Sequence, residues 1–134
     1  LQEVRFAREV AGLLSKPPAL QINSIDQRQL LNWSSNVLTG LSSLPPELDR
    51  VEFRGATALS VANHKAVLLK MKNEQRASLL IVDALFARDQ ASKPFHEKSG
   101  SASVWSDGRR TYVLLYEGSI DEMRAYMTEM GISA

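Results

Sequence analysis

The sequence contains no cysteine. Disulfides, zinc–thiolate clusters and thiol catalysis are therefore excluded within it. It carries little net charge, since Lys plus Arg (16) against Asp plus Glu (15) leaves +1. That balance argues against a nucleic-acid binder held by a dense basic surface. Long apolar runs are missing too. The longest, 79–82, 84–87 and 112–116, fall far short of the ~20 residues a membrane helix needs. No Gly-x-Gly-x-x-Gly and no Walker motif is present, so no phosphate-cradling loop is signalled.

What is present describes a globular domain. The 134 residues are 44% hydrophobic and 23% charged, a composition that builds one core. A chain of this size buries roughly two thirds of its unfolded surface. Residues 1–15 read as a helix with Val4, Ala7, Ala11 and Leu14 in line and Phe6, Val10 and Leu13 beside them. Lys16-Pro17-Pro18 ends it. Ser24 and Gln27 fit a capping box, opening a second helix with an apolar face from Ile25 to Leu38.

From Val51 the period becomes two. Val51, Phe53, Thr57, Leu59 and Val61 are expected on one face, with Gly55 marking a bulge or a close approach. A turn at Asn63-His64-Lys65 leads to a strand with Val67, Leu69 and Met71 on one side. The Leu79-Leu80-Ile81-Val82 run predicts a central strand buried on both faces. Residues 86–101 are polar and aperiodic, and read as a long loop. Asp107-Gly108 between two strand-like runs predicts a hairpin. Ser119 and Glu122 cap a last helix, striped by Met123, Met127 and Met130 and stopped by Gly131. The fold class expected is α+β: a mostly antiparallel sheet of about five strands, with N-terminal helices and a C-terminal helix on one face. Residues 1–16 are expected to form a packing helix and 24–131 a single domain.

No catalytic constellation emerges. His64 and His96 are isolated, and a metal site needs several ligands at workable spacing. Ser99, Ser101 and Ser103 lack the flanks of a nucleophile elbow. Asp121 and Glu122 suit the first turn of a helix rather than acid–base work. The methionine stripe reads as core. Arg109 and Arg110 read as solvated arginines at a hairpin edge, and Trp33 and Trp105 as core or rim anchors.

A series of segments carries a resemblance. Asp26, Leu30 and Trp33 lie on the second helix, followed by Leu44-Pro45 and then Val51, Phe53, Gly55 and Ala56. Strands at 65–69 and 77–82 come next, then Val104-Trp105-Ser106-Asp107-Gly108-Arg109-Arg110-Thr111-Tyr112 and a helix from Ser119. Over about residues 24–130 this order resembles the extracytoplasmic domain of membrane-anchored bacterial anti-sigma factors. The resemblance implies a non-enzymatic, cofactor-free sensory or interaction domain on the periplasmic side of the inner membrane. It implies a protein partner or regulatory protease outside and a sigma factor bound by a cytoplasmic zinc-binding part. That part and the membrane helix are not in this sequence, which opens on Leu1, and are expected ahead of it. The resemblance then makes residues 1–16 a juxtamembrane helix. Nucleic acid is not expected as a partner; a homodimer is left open. On that reading the partner-binding candidates are Phe95, His96, Trp105, Arg109 and Arg110. The alternative is a small periplasmic ligand-binding domain, or a hydrolase with a site in the 86–101 loop.

Overall fold

The structure, a computed structural model, describes residues 2–86 and 93–132; for Gln2 and for 93–97 only the backbone is described. The elements run α1 (Gln2–Ser15), β1 (Ile22–Asn23), α2 (Gln27–Val37), a 3-10 turn (Pro46–Leu48), β2 (Phe53–Val61), β3 (His64–Met71), β4 (Ala77–Val82), β5 (Lys93–Glu97), β6 (Gly100–Ser106), β7 (Thr111–Tyr116) and α3 (Ile120–Met130). The strands form one sheet in the order β1-β2-β3-β4-β7-β6-β5, with every pairing antiparallel. The α+β class and the antiparallel sheet are as the sequence predicts. The strand count rises to seven because two edge strands escape the sequence pattern. β1 is two residues long. β5 lies inside the expected 86–101 loop and pairs with β6 from Lys93↔Val104 to Glu97↔Gly100; residues 87–92 of that loop lie outside the described residues.

The helices do not share one face. α2 and α3 cover one side, where Leu30, Leu38, Met123 and Met127 meet Phe53, Val67, Leu69, Leu79, Ile81, Trp105, Tyr112, Leu114 and Tyr116. α1 covers the other, placing Phe6, Val10 and Leu14 against Ala66, Leu68, Leu80, Val82, Val104, Val113 and Leu115. A sheet with two apolar faces must cover both, and one helix stripe cannot do so. The Leu79–Val82 run is fully buried on both sides, as expected of a central strand.

Gly55 is where the alternation breaks. Phe53 pairs with Met71 but Gly55 pairs with Lys70, so Arg54 is the extra residue of a bulge. The bulge reverses the phase. Phe53 and Ala56 face α2, while Val61 faces α1; the continuous 51–61 alternation is corrected accordingly. A Cβ on Gly55 would sit 2.5 Å from Leu20 and 2.8 Å from the Ile22 carbonyl, so the close approach is real as well. Beside the bulge, the Gln27 side chain exchanges two 2.8 Å hydrogen bonds with the Phe53 backbone, donating to its carbonyl and accepting from its N–H. Gln27 thus serves as a one-residue strand. The cap of α2 is Asp26, whose carboxylate accepts from the N–H groups of Arg28 and Gln29, not Ser24.

The other local signals hold with small shifts. The β2–β3 turn is Ala62-Asn63, both at positive φ, one residue earlier than expected. Ser119 and Glu122 form the predicted reciprocal cap of α3, and Gly131 closes that helix in the left-handed conformation. Glu9 ties α1 to the β2–β3 turn by accepting from the Ala62 N–H at 3.0 Å. That bond holds its carboxyl below the ordinary glutamate value.

Candidate functional site

Of the five residues singled out from sequence, the structure brings three to the β6–β7 hairpin. Two of them are not free to meet a partner. Trp105 is 2% exposed. Its ring stacks on Tyr112 at 5.9 Å, and its Nε1 donates to Glu47 at 3.0 Å. Arg110 is 4% exposed, which corrects its reading as a solvated arginine. Its guanidinium donates to Asp83 at 3.2 Å and to the Thr39 carbonyl at 2.8 Å. A cation is buried only when paired, and this one is. Arg109 is exposed. Phe95 and His96 belong to β5 by backbone, and their side chains lie outside the described residues.

Asp107 organises the hairpin. One carboxylate oxygen accepts from the Arg109 and Arg110 N–H groups at 3.0 and 2.9 Å; the other accepts from the Tyr112 hydroxyl at 2.9 Å. Burial pushes the Asp107 pKa up, but these donors outweigh it and hold the carboxyl below its ordinary value. Burial, with Asp107 as acceptor, pushes the Tyr112 phenol up. Gly108 takes the positive φ the turn requires. Trp105, Asp107, Gly108 and Tyr112 therefore make one structural unit.

His64 packs edge-on to Phe86, which stacks on Phe6 at 4.4 Å, so it belongs to the packing around α1. Among the described residues no group of three His, Cys, Asp or Glu is placed to hold a metal ion. None of their helices is long and apolar enough to cross a membrane.

The feature that sequence reading missed lies on the α1 face of the sheet. Cross-strand pairing sets Leu115 beside Ser78, Ser78 beside Lys70 and Lys70 beside the Gly55 bulge. Ser78 is the small residue of this row, and Leu20 covers Gly55 at its end. α1 ends above it, and Pro17 and Pro18 carry the chain across the gap. The result is a recess of about 190 Å³ with apolar walls from Leu13, Leu14, Leu68 and Leu115. Arg54, Lys70, Arg76 and Glu117 also line it. The Lys70 ammonium donates to the Gln75 carbonyl. Desolvation lowers its pKa, opposed by Glu117 and reinforced by Arg54. Arg76 is held over the Tyr116 ring at 4.9 Å and paired with Glu74 at 3.1 Å and Glu122 at 3.4 Å. The Arg54 guanidinium has no side-chain partner among the described residues. The signal in the sequence is positional: Lys70 and Ser78 interrupt the apolar runs of β3 and β4.

A second hollow of about 380 Å³ lies between α2 and the 3-10 turn, lined mostly by Leu30, Leu31, Leu44, Leu48 and Phe53 with Asp49 and Glu52. No cation lines it. No family model, curated protein or solved structure matches the chain.

Proposed function

We propose that this chain is a non-catalytic extracytoplasmic sensory or interaction domain of a membrane-anchored anti-sigma factor. A cytoplasmic part outside this sequence sequesters the sigma factor, and a protein partner or regulatory protease acts on the outer side. The observation that carries the reading is the hairpin. The residues on which the resemblance rests most, Trp105, Asp107, Gly108 and Tyr112, act together as one hydrogen-bonded and stacked unit. Signalling then runs through α1, the element nearest the expected membrane attachment. A signal shifts such a domain only if it binds one arrangement of α1 better than another.

The test is expression of the complete gene product in its native host with an affinity tag. Co-purification of a sigma factor, and release of sigma-dependent transcription when this domain is deleted, are the expected results. A complete product with no membrane span of ~20 apolar residues and no bound sigma factor overturns the reading. The recess favours a second reading, a small ligand-binding domain without the regulatory attachment.

A further inference from the structure

We propose that the recess beneath the end of α1 binds a small amphipathic anion: a monocarboxylate with a short hydrocarbon tail. The inference rests on the recess alone and holds whether or not the chain is attached to an anti-sigma factor.

The charge of the ligand follows from the cations. Arg54 and Lys70 meet at a cavity whose only lining acid among the described residues is Glu117. Arg76 is already engaged by Glu74 and Glu122. Arg54 and Lys70 are the donors left for a ligand, and Lys70 has donors beyond the one given to Gln75. A single carboxylate satisfies both. Glu117 repels a second negative charge, so a phosphate dianion fits less well. The tail follows from the walls, because Leu14, Leu68 and Leu115 offer apolar surface and no polar side chain. Size follows from the volume. About 190 Å³ equals roughly six water molecules at ~30 Å³ each, room for a chain of about six carbons rather than a long lipid.

Two consequences come with the site. Occupancy partly neutralises the charge around Lys70 and removes the cost of its desolvation as an unpaired cation. It also adds apolar contact to Leu13 and Leu14, the last turn of α1, and so favours the docked helix.

The probe is hexanoate, titrated at neutral pH into the 15N-labelled chain, with hexan-1-ol and hexylammonium as controls. We expect saturable shifts at the amides of Leu68, Ser78 and Leu115 with a dissociation constant in the millimolar range, as suits so small a ligand. Neither control reproduces them. Lys70→Met keeps the stem that packs in the sheet and weakens binding roughly tenfold. The exposed Arg54→Gln leaves the fold intact and weakens binding about threefold to tenfold; it decides the matter if Lys70→Met fails to fold. Hexan-1-ol binding as tightly as hexanoate, no saturable shift, shifts confined to other residues, or affinity unchanged in Arg54→Gln would each overturn the site.

Discussion

The two faces of the sheet are closed in different ways. On the α2–α3 side, two helices and the 3-10 turn press large residues together, and Trp105, Tyr112, Tyr116, Phe53 and Met123 all lie in one cluster. On the other side, mostly aliphatic residues meet one helix, which anchors through Phe6, Val10 and Leu14. Each such anchor contributes roughly 1.5–3 kcal/mol; α1 supplies three of them, while the opposite face is closed by two helices and the turn together. The first face is the one that fixes the fold. The second depends on one helix, with a cationic recess at its base.

A matched pair of truncations is the severest way to test this asymmetry. In urea unfolding, Leu30→Ala on α2 should cost roughly 4–5 kcal/mol and Leu14→Ala on α1 roughly 2–3 kcal/mol, because α1 can settle over the smaller side chain. If Leu14→Ala proved as costly as Leu30→Ala, the two faces would be equivalent and the comparison would fail. Trp105→Ala empties the stack on Tyr112 and strands Glu47, and urea unfolding should show a loss of about 4 kcal/mol.

Asp83→Asn sharpens the picture of the first face's edge. It leaves the Arg110 guanidinium with the Thr39 carbonyl and a neutral amide. A fully buried pair would lose several kcal/mol on such a change. Asp83 is 41% exposed, so about 1 kcal/mol is expected in thermal unfolding. Acid distributes its effect over both faces. Asp107 holds the hairpin and Glu9 holds α1, and both carboxyls lie below their ordinary values. A depressed folded value means the stabilisation is complete above the unfolded value, near 4, and is lost as pH falls through the folded one. Melting temperature should therefore be flat near neutrality and fall below about pH 4, with a shallower acid slope in Asp107→Asn. The smallest change has the opposite sign. Ser103 Oγ is buried without a hydrogen-bond partner among the described residues, so Ser103→Ala should be neutral or stabilising by up to about 1 kcal/mol in the same melts.

Legibility in the sequence followed the range of the interaction. The capping box at Ser119 and the hairpin at Asp107-Gly108 depend on residues a few positions apart, and each was readable; at Gly55 the glycine itself was the sign, although the neighbours that require it, Leu20 and Ile22, are distant in sequence. β5 was not. Lys93-Pro94-Phe95-His96-Glu97 has a proline and no alternation, because an edge strand with one neighbour needs neither a full set of donors nor two apolar faces. The stripe on α1 was visible, but periodicity cannot say which side of a sheet a stripe will cover. Arg110 looked solvated because its partners, Asp83 and Thr39, lie 27 and 71 residues away. The recess was least legible of all. It is assembled from the end of α1, the proline link and four strands, and only Lys70 and Ser78, interrupting apolar runs, marked it.

Native-state hydrogen exchange followed by NMR tests the division between the faces most directly. The account predicts that the amides of α1 exchange by a local opening, well ahead of those of α3 and with little dependence on denaturant. It predicts that saturating hexanoate slows α1 selectively. Exchange of α1 and α3 together, through one global unfolding event and with no response to hexanoate, would contradict it.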